Sequence, residues 1–272
     1  MSDAPVRDED QEKPLKKLSG VLLALSSVSV AAHAQSTTTP TPATPPAAVT
    51  AVTCPVPTPA RPDLSKIDWA GLDRYASANA ALPAHEAGRV VFFGDSITDA
   101  WTRNGGKFFP GKPYVNRGIS GQTTEQMLVR FRQDVINLHP DVVVFLAGTN
   151  DIAGNTGVRT QEQIAGNIRS MVELAKANHI RVVLASLLPA ADYGWRRGLM
   201  PAQKIVAFNV WMKQYAAEQG LVYVDYWTPM ATPDGALKPE LTHDGVHPQA
   251  PGYAIMEPLA QAGIDEAMRT QR

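Results

Sequence analysis

Residues 90–98 read Val90-Val91-Phe92-Phe93-Gly94-Asp95-Ser96-Ile97-Thr98, and they are the most informative segment of the chain. Four consecutive apolar side chains without alternation are typical of a strand that is buried on both faces. The glycine and the polar residues that follow mark the end of this strand and the start of a helix. The segment therefore predicts a buried parallel strand with polar side chains at its carboxyl end.

Four further apolar runs have the same character. They are Tyr114–Asn116, which is the weakest, Val142–Leu146, Val182–Leu188 and Leu221–Val224. Between the runs, apolar residues recur at the three- or four-residue spacing of an amphipathic helix. The three helical sets are Met127, Phe131, Val135 and Leu138; then Ile164, Ile168, Met171 and Ala175; and then Ile205, Phe208, Met212 and Tyr215.

Parallel strands that are joined by helical crossovers predict an α/β fold. We expect a three-layer α/β/α sandwich with a five-stranded parallel sheet, in the flavodoxin-like arrangement. A further helix is expected over Leu64–Ala81, outside the sheet. The last helix is expected to start at Pro248, because the fixed φ of proline suits a first helical turn.

The charge balance argues against one broad class of function. Among the 272 residues, 25 are basic and 26 are acidic, and the formal net charge is -1. A chain without a basic surplus is poorly suited to neutralise nucleic-acid phosphates or an anionic membrane surface. We therefore expect no nucleic-acid partner.

Residues 1–34 are predicted to be a removable export signal. Lys16 and Lys17 precede the apolar run Leu18–Ala32, and the small-residue pattern of a cleavage site ends at Ala34. The run is about 15 residues, shorter than the roughly 20 needed to cross a bilayer, so no stable membrane span is expected. The acidic stretch Asp3–Glu12 does not fit a typical signal. A secreted or periplasmic location follows from this prediction.

Residues 35–62 are predicted to be a linker, and residues 63–272 the folded domain. The linker contains eight proline and eight threonine residues and only one charged residue, Arg61. Such a composition buries too little apolar surface to offset the entropy lost on ordering. The single cysteine, Cys54, lies in the linker and has no partner for an internal disulfide.

The polar residues at the predicted strand ends form four blocks. They are GDSIT with Ser96, NRGISG with Gly118, GTND with Asn150, and DGVHP with Asp244 and His247. In content and order these blocks resemble those of the GDSL or SGNH hydrolases, over about residues 89–272. The resemblance implies the SGNH hydrolase fold and an esterase that hydrolyses acyl esters. Ile97 stands where the founding motif has leucine.

Ser96, His247 and Asp244 are the predicted catalytic residues. Ser96 follows a strand at the start of a helix, where its hydroxyl can project into a cleft. A serine needs a base to remove its proton, and imidazole suits that task near neutral pH. Asp244 precedes His247 by three residues and can orient its ring. The structural alternatives are a helix-capping serine and a solvated loop histidine beside a turn-forming aspartate.

An oxyanion that develops on the attacked carbonyl needs donors placed in advance. The predicted donors are the backbone N–H groups of Ser96 and Gly118 and the side-chain amide of Asn150. Gly118 and Asn150 could alternatively be ordinary turn residues. Two further motif residues, Asp95 and Asp151, are expected to brace their loops. No metal or other cofactor is expected, since His243 and His247 lack the further ligands that a metal site needs.

The substrate is predicted to be a small-molecule or polysaccharide ester. Trp101, Tyr193 and Trp195 are expected near the cleft, where aromatic rings can stack on a sugar. Together with the predicted export, they favour a short acyl group, such as acetyl, on a carbohydrate. The alternatives are a lysophospholipase or thioesterase-like lipase, a non-catalytic carbohydrate-binding protein on the same fold, and a flavodoxin-like nucleotide binder.

Overall fold

The computed structural model describes residues 67–269, and these contain the five predicted strands. The strands are β1 (Val90–Gly94), β2 (Tyr114–Gly118), β3 (Val142–Leu146), β4 (Arg181–Ala185) and β5 (Val222–Val224). They form one sheet in the order β2-β1-β3-β4-β5, and every neighbouring pair is parallel. The α/β fold with a five-stranded parallel sheet is therefore confirmed.

The sheet is buried on both faces, and alternate residues of each strand supply two separate cores. Val91 and Phe93 of β1 join the core on one face, whereas Val90 and Phe92 join the core on the other. Strand residues alternate between faces, so a run of four apolar side chains is needed to serve both cores. This burial explains why β1 lacks a polar face.

Four long helices cover the sheet. They are α3 (Thr124–Asp134), α5 (Gln161–Ala177), α6 (Ala202–Gln219) and α8 (Ala250–Arg269). Helices α3, α5 and α6 contribute to the first core, and α8 packs on the opposite face. The apolar residues with helical spacing in α5 and α6 are all buried, which confirms the helical reading of the two segments.

Short helices connect or flank these elements. They are α1 (Ala76–Ala80), α2 (Ser96–Asp99), α4 (Thr149–Ala153) and α7 (Trp227–Met230), with 3₁₀ turns at Ile136–Leu138 and Pro239–Leu241. Two of them, α2 and α4, begin directly beyond the carboxyl ends of β1 and β3. They carry the first and third polar motifs to the same edge of the sheet.

The helix expected over Leu64–Ala81 is wrong in extent, since only Ala76–Ala80 is helical among the described residues. Gly71 has a φ of +68°, which interrupts a right-handed helix. The Asp68 carboxylate also accepts a hydrogen bond from the Asp73 N–H at 2.8 Å, which forms a local turn.

Two expected boundaries also differ. The last helix begins at Ala250 rather than Pro248, because Pro248 pairs with Thr242 in an isolated antiparallel bridge. Strand β4 ends at Ala185 instead of Leu188. Beyond it, the Ser186 hydroxyl accepts hydrogen bonds from the backbone of the segment after β5.

The predicted signal peptide, the linker and Cys54 lie outside the described residues. Within residues 67–269, no helix is both long and apolar enough to cross a membrane.

Candidate active site

Ser96 is the first residue of α2, directly after β1 and the short turn through Asp95. The Asp95 carboxylate caps this helix by accepting a hydrogen bond from the Ile97 N–H at 3.0 Å. Backbone N–H groups in a first helical turn have no intrahelical acceptor, and they point towards the carboxyl edge of the sheet. The Ser96 side chain therefore projects beside donors that can face an anion.

Three side chains from distant parts of the sequence meet at this edge. The Ser96 Oγ lies 2.8 Å from the His247 Nε2, and the His247 Nδ1 lies 2.6 Å from the Asp244 Oδ2. The hydroxyl, the imidazole and the carboxylate are thus connected by two consecutive hydrogen bonds. This order suits proton transfer from the serine to the histidine, with the carboxylate holding the ring.

The loop that carries His247 is held by its own aspartate. The Asp244 Oδ1 accepts hydrogen bonds from the backbone N–H groups of Val246 at 2.9 Å and of His247 at 2.8 Å. Partial burial works to raise the pKa of Asp244. The hydrogen bonds from the His247 backbone and ring and from Val246 outweigh it and lower the pKa to about 2. Asp244 is therefore ionised throughout the neutral range.

Asn150 lies in α4 at the end of β3 and is 2% exposed. Its amide nitrogen donates to the Gln122 carbonyl at 3.1 Å and to the Asp95 Oδ2 at 3.3 Å. Its oxygen accepts a hydrogen bond from the Asn155 side chain at 2.8 Å. Both amide hydrogens thus have acceptors inside the protein. The amide must share one of these hydrogens, or release an acceptor, to bind an oxyanion.

Asp95 and Asp151 both act within the scaffold, as the sequence suggested. Burial raises the pKa of Asp95 to about 6, in spite of the hydrogen bond from Ile97 and the nearby charge of His247. Asp151 accepts hydrogen bonds from the Thr124 N–H at 3.0 Å and from the Thr124 hydroxyl at 2.5 Å. It thereby joins α4 to the start of α3.

Gly118 is placed differently from the prediction that its N–H belongs to an oxyanion hole. Its N–H donates to the Asn116 Oδ1 at 2.9 Å. A Cβ at this position would lie 2.2 Å from the Asp99 nitrogen, so the glycine permits β2 to pack closely against α2. Gly118 therefore has a packing role, and its N–H already has an acceptor inside the protein.

Gly121, three residues further along the same motif, is the glycine of this loop that the sequence analysis did not single out. It is exposed and has a φ of +80°, and its N–H has no acceptor within residues 67–269. Its carbonyl accepts a hydrogen bond at 3.1 Å from Asn155, the same side chain that binds Asn150. The second glycine of NRGISG was a signal that could have identified this position.

Trp101 does not line the cleft, contrary to the prediction. It is 1% exposed, and its Nε1 donates to the Glu257 carboxylate at 3.2 Å. Its ring packs in an aromatic cluster with Phe92, Phe108, Phe109 and Tyr253. Trp101 is a core residue because the helix that follows β1 turns this side chain towards α8.

Tyr193 and Trp195 form one stacked pair but differ in exposure. Tyr193 is 0% exposed, which rules out the substrate contact predicted for it, whereas Trp195 is 46% exposed. Their ring centroids lie 5.0 Å apart at an angle of 25°. The Trp195 ring also lies 6.1 Å from the His247 ring. Tyr193 thus supports Trp195 from below, and Trp195 remains at the rim beside the histidine.

A separate cavity of about 590 Å³ lies behind α4. Apolar residues of α4, α5, α6 and the 193–200 segment form much of its wall, with Lys204, Arg159 and Arg196 among the lining residues. Ser96, Asn150 and His247 are not part of it. Within the described part of the chain, no cluster of three or more His, Cys, Asp or Glu residues is arranged to hold a metal.

The sandwich fold and the Ser96–His247–Asp244 arrangement define the class of serine hydrolases on an α/β/α scaffold. Residues 92–255 match the model of the GDSL-like Lipase/Acylhydrolase family. The chain therefore belongs to this family, and it is an acylhydrolase of the carboxylic ester hydrolase type.

Solved structures support this membership. The chain is 50% identical to a Bacteroides fragilis protein described as an acylhydrolase, with a TM-score of 0.73 over 75% of this chain and 100% of that chain. A GDSL-like lipase of Bacteroides thetaiotaomicron is 49% identical, with a TM-score of 0.71 over 73% of this chain and 98% of that chain. The acetylxylan esterase Axe2 of Geobacillus stearothermophilus is 20% identical (TM-score 0.52, 67% of this chain, 96% of that chain) and shares only the fold.

One similarity to a curated protein is shorter. Over 81 residues, the chain is 31% identical to the uncharacterized lipoprotein YqeF of Bacillus subtilis. The match covers 29% of this chain and 33% of YqeF, so it spans about a third of that relative's length.

Proposed function

We propose that this acylhydrolase cleaves O-acyl esters through Ser96, His247 and Asp244. The observation that carries the proposal is the unbroken contact from the Ser96 Oγ through the imidazole to the Asp244 carboxylate, with distances of 2.8 and 2.6 Å. His247 accepts the hydroxyl proton as Ser96 attacks the acyl carbon. Asp244, already ionised, stabilises the imidazolium that forms.

The tetrahedral intermediate carries its charge on the former carbonyl oxygen. The proposed donors to this oxygen are the backbone N–H groups of Ser96 and Gly121 and the Asn150 amide. As the intermediate collapses, the alcohol leaves with the proton from the imidazolium, and the acyl group stays on Ser96. Water then attacks the acyl-enzyme, with His247 again as the base, and releases the carboxylic acid.

A short acyl group on a carbohydrate is the proposed substrate. Support comes from Trp195, whose half-exposed ring lies beside His247, where the alcohol part of an ester would leave. An exposed aromatic face offers a sugar ring an apolar surface for stacking. Trp195 alone carries this part of the proposal, since Trp101 and Tyr193 are buried.

A longer acyl chain, as in a lysophospholipase or a thioesterase-like lipase, is the second candidate. It is favoured by the cavity behind α4, whose lining includes Ile152, Leu199 and Phe208. Asp151, the residue after Asn150, also lines this cavity.

A substrate panel with a matched blank tests both proposals. Acetylated xylan, lysophosphatidylcholine and p-nitrophenyl esters from acetate to decanoate are compared using the wild type, Ser96→Ala and the control Ser170→Ala. Hydrolysis should disappear only in Ser96→Ala. Asn150→Ala should lower kcat by about 10²- to 10³-fold, as for other single oxyanion donors. Wild-type rates in Ser96→Ala would contradict the assignment of Ser96 as the nucleophile. Binding to xylan without hydrolysis of any ester would indicate a non-catalytic carbohydrate-binding protein instead.

We also propose that the protein is exported, from the signal-like pattern of residues 1–34. Expression of the full chain in a Gram-negative host, followed by fractionation and N-terminal sequencing, tests this. A mature protein that starts after Ala34 in the periplasm is the expected result. An intact N-terminus in the cytoplasm would contradict it.

A further inference from the structure

Asn155 is a polar residue that the mechanism above does not use, and it contacts two of the proposed oxyanion donors. It lies just after α4, beyond Gly154, and its backbone N–H donates to the Asn150 carbonyl at 3.0 Å. Its side-chain amide donates to the Asn150 Oδ1 at 2.8 Å and to the Gly121 carbonyl at 3.1 Å. One side chain thus joins α4 to the loop after β2.

These contacts determine which end of the Asn150 amide can face a substrate. The oxygen and nitrogen ends of an asparagine differ little in shape, and a rotation of the amide exchanges donor for acceptor. In the structure, Asn155 binds the oxygen end of Asn150, while Asp95 and Gln122 accept from the nitrogen end. If Asn155 did not donate to the Asn150 oxygen, the rotated orientation of the Asn150 amide would lose one hydrogen bond fewer relative to the present orientation. In the rotated orientation, the amide oxygen in place of the nitrogen would face the oxyanion and repel it.

The orientation of Asn155 is fixed in turn by Trp195. The indole Nε1 donates to the Asn155 Oδ1 at 3.2 Å, so both amide hydrogens of Asn155 remain directed towards Asn150 and Gly121. The neighbouring Arg196 donates to the carbonyls of Ala153 and Gly154, each at 2.9 Å. These bonds hold the Trp195 segment against the end of α4.

We propose that Asn155 is a positioning residue that orients the Asn150 amide and the Gly121 backbone for oxyanion binding, with the Trp195 indole N–H as its orienting partner. The inference rests on the proposed function of Ser96 and Asn150. It gives Trp195 two separable properties: the exposed ring that faces substrate, and the N–H that acts through Asn155. Substitution by phenylalanine removes the second and keeps an aromatic ring.

Steady-state kinetics with p-nitrophenyl acetate measure the effect. Asn155→Asp keeps the side-chain shape but replaces the donor with an acceptor, and kcat should fall by about 10- to 100-fold, as expected for a misplaced catalytic group. KM should change little, because the proposed mechanism gives Asn155 no contact of its own with this small ester. Trp195→Phe should lower kcat by about 3- to 10-fold, the effect of one ordinary hydrogen bond.

A double-mutant cycle separates positioning from a general structural effect. If Asn155 acts through Asn150, Asn155→Ala should cost much less in kcat in an Asn150→Ala background than in the wild type. Affinity for a boronic acid, which forms a tetrahedral anionic adduct with Ser96, should fall in parallel with kcat. The controls are Asn137→Asp, at an exposed position in the 3₁₀ turn before β3, and Trp69→Phe, at a residue that is 49% exposed.

Additive losses in the cycle, or a kcat within about twofold of wild type in Asn155→Asp, would overturn the inference while the esterase proposal stands. A wild type whose ester hydrolysis equals that of Ser96→Ala would overturn the proposed function, and the inference with it. Thermal unfolding of each variant is followed in parallel. A loss of kcat that merely tracks loss of folded protein, with unchanged boronic acid affinity of the folded fraction, also counts against positioning.

Discussion

Asp95 places a carboxylate in the protein interior directly before the proposed nucleophile. The residue is 1% exposed, and burial raises its pKa to about 6, well above the usual value for an aspartate. Its two oxygens are nevertheless used, one to cap α2 and one to accept from Asn150. The site therefore includes a group that costs stability when ionised and supports the scaffold through its hydrogen bonds.

The pH dependence of stability tests this reading of Asp95. Between pH 4 and 6 the folded protein keeps a proton that the unfolded chain releases, so Asp95 lowers stability as the pH rises. A shift from 3.8 to about 6 corresponds to on the order of 3 kcal/mol above pH 6. Asp95→Asn cannot ionise. As the pH is raised from 4 to 6, the denaturant midpoint of Asp95→Asn should therefore rise relative to that of the wild type. If the two midpoints change in parallel with pH, the raised pKa of Asp95 is contradicted.

Asp244→Asn tests the proposed orientation of His247. The Asn oxygen can still accept from the Val246 and His247 backbone, so the loop should keep its shape. Without a carboxylate on the imidazole Nδ1, kcat should fall by about 10⁴-fold, as it does for the equivalent change in a serine protease triad. Asp225→Asn, in the loop after β5, is the control. A loss smaller than about tenfold would mean that another group orients the ring.

At the scale of single residues, the sequence predicted which residues come together at the site better than it predicted where their N–H groups and side chains point. Ser96, Asn150, Asp244 and His247 could be placed together because their motifs follow strands of one parallel sheet. Whether a backbone N–H points into the cleft depends on loop dihedral angles that a motif does not encode. The motif alone therefore points to Gly118, whose N–H is bonded to Asn116, and not to Gly121. The burial of Trp101 depends likewise on its packing against α8.

Helix α3 supports the turn at the end of β1 through a buried ion pair. The side chains of Arg130 and Asp134 are both 0% exposed and lie 3.0 Å apart. Arg130 also donates to the Gln122 side chain at 2.5 Å and to the Gly94 carbonyl at 3.2 Å. The helix thus contacts Gly94, the residue before Asp95, and Gln122, whose carbonyl accepts a hydrogen bond from the Asn150 amide.

Arg130→Ala should therefore destabilise the protein strongly. It leaves the Asp134 carboxylate buried without its cation, a change that costs about 3–5 kcal/mol in other proteins. Arg132→Ala, at an exposed position of the same helix, should cost less than about 0.5 kcal/mol. Urea unfolding of both variants measures the difference. Equal midpoints would show that Asp134 is not left uncompensated.

At the scale of elements, helices whose apolar residues repeat over several turns were predicted well. Helices α5 and α6 each bury their predicted positions, since such a repeat has few other stable arrangements. The helix predicted over Leu64–Ala81 was too long, because the composition of the segment allows a helix but Gly71 adopts a left-handed φ of +68°. The predicted end of β4 was wrong because the Ser186 hydroxyl bonds the backbone after β5, and the predicted start of the last helix was wrong because Pro248 pairs with Thr242.

At the scale of the molecule, the segment that precedes the sheet belongs to the folded domain. The carbonyls of Trp69 and Ala70 accept hydrogen bonds at 2.6 Å from the Gln126 and Gln122 side chains. Asn79 donates to the Asp134 carboxylate at 2.7 Å and accepts from the Arg117 Nε at 2.7 Å. Residues 69–79 therefore contact α3, β2 and the loop that holds Gly121.

Two truncations test where the domain begins. A chain that lacks residues 1–60 should keep its Tm and its kcat/KM for p-nitrophenyl acetate, because the buried residues of both cores begin at Val90 and the partly buried residues packed against them begin at Leu82. Removal of residues 1–81 deletes the contacts of residues 69–79, and Tm should fall by at least about 5 °C in a domain of this size. Differential scanning calorimetry measures both, and a similar loss of Tm in the two truncations would place an essential part of the domain before residue 61.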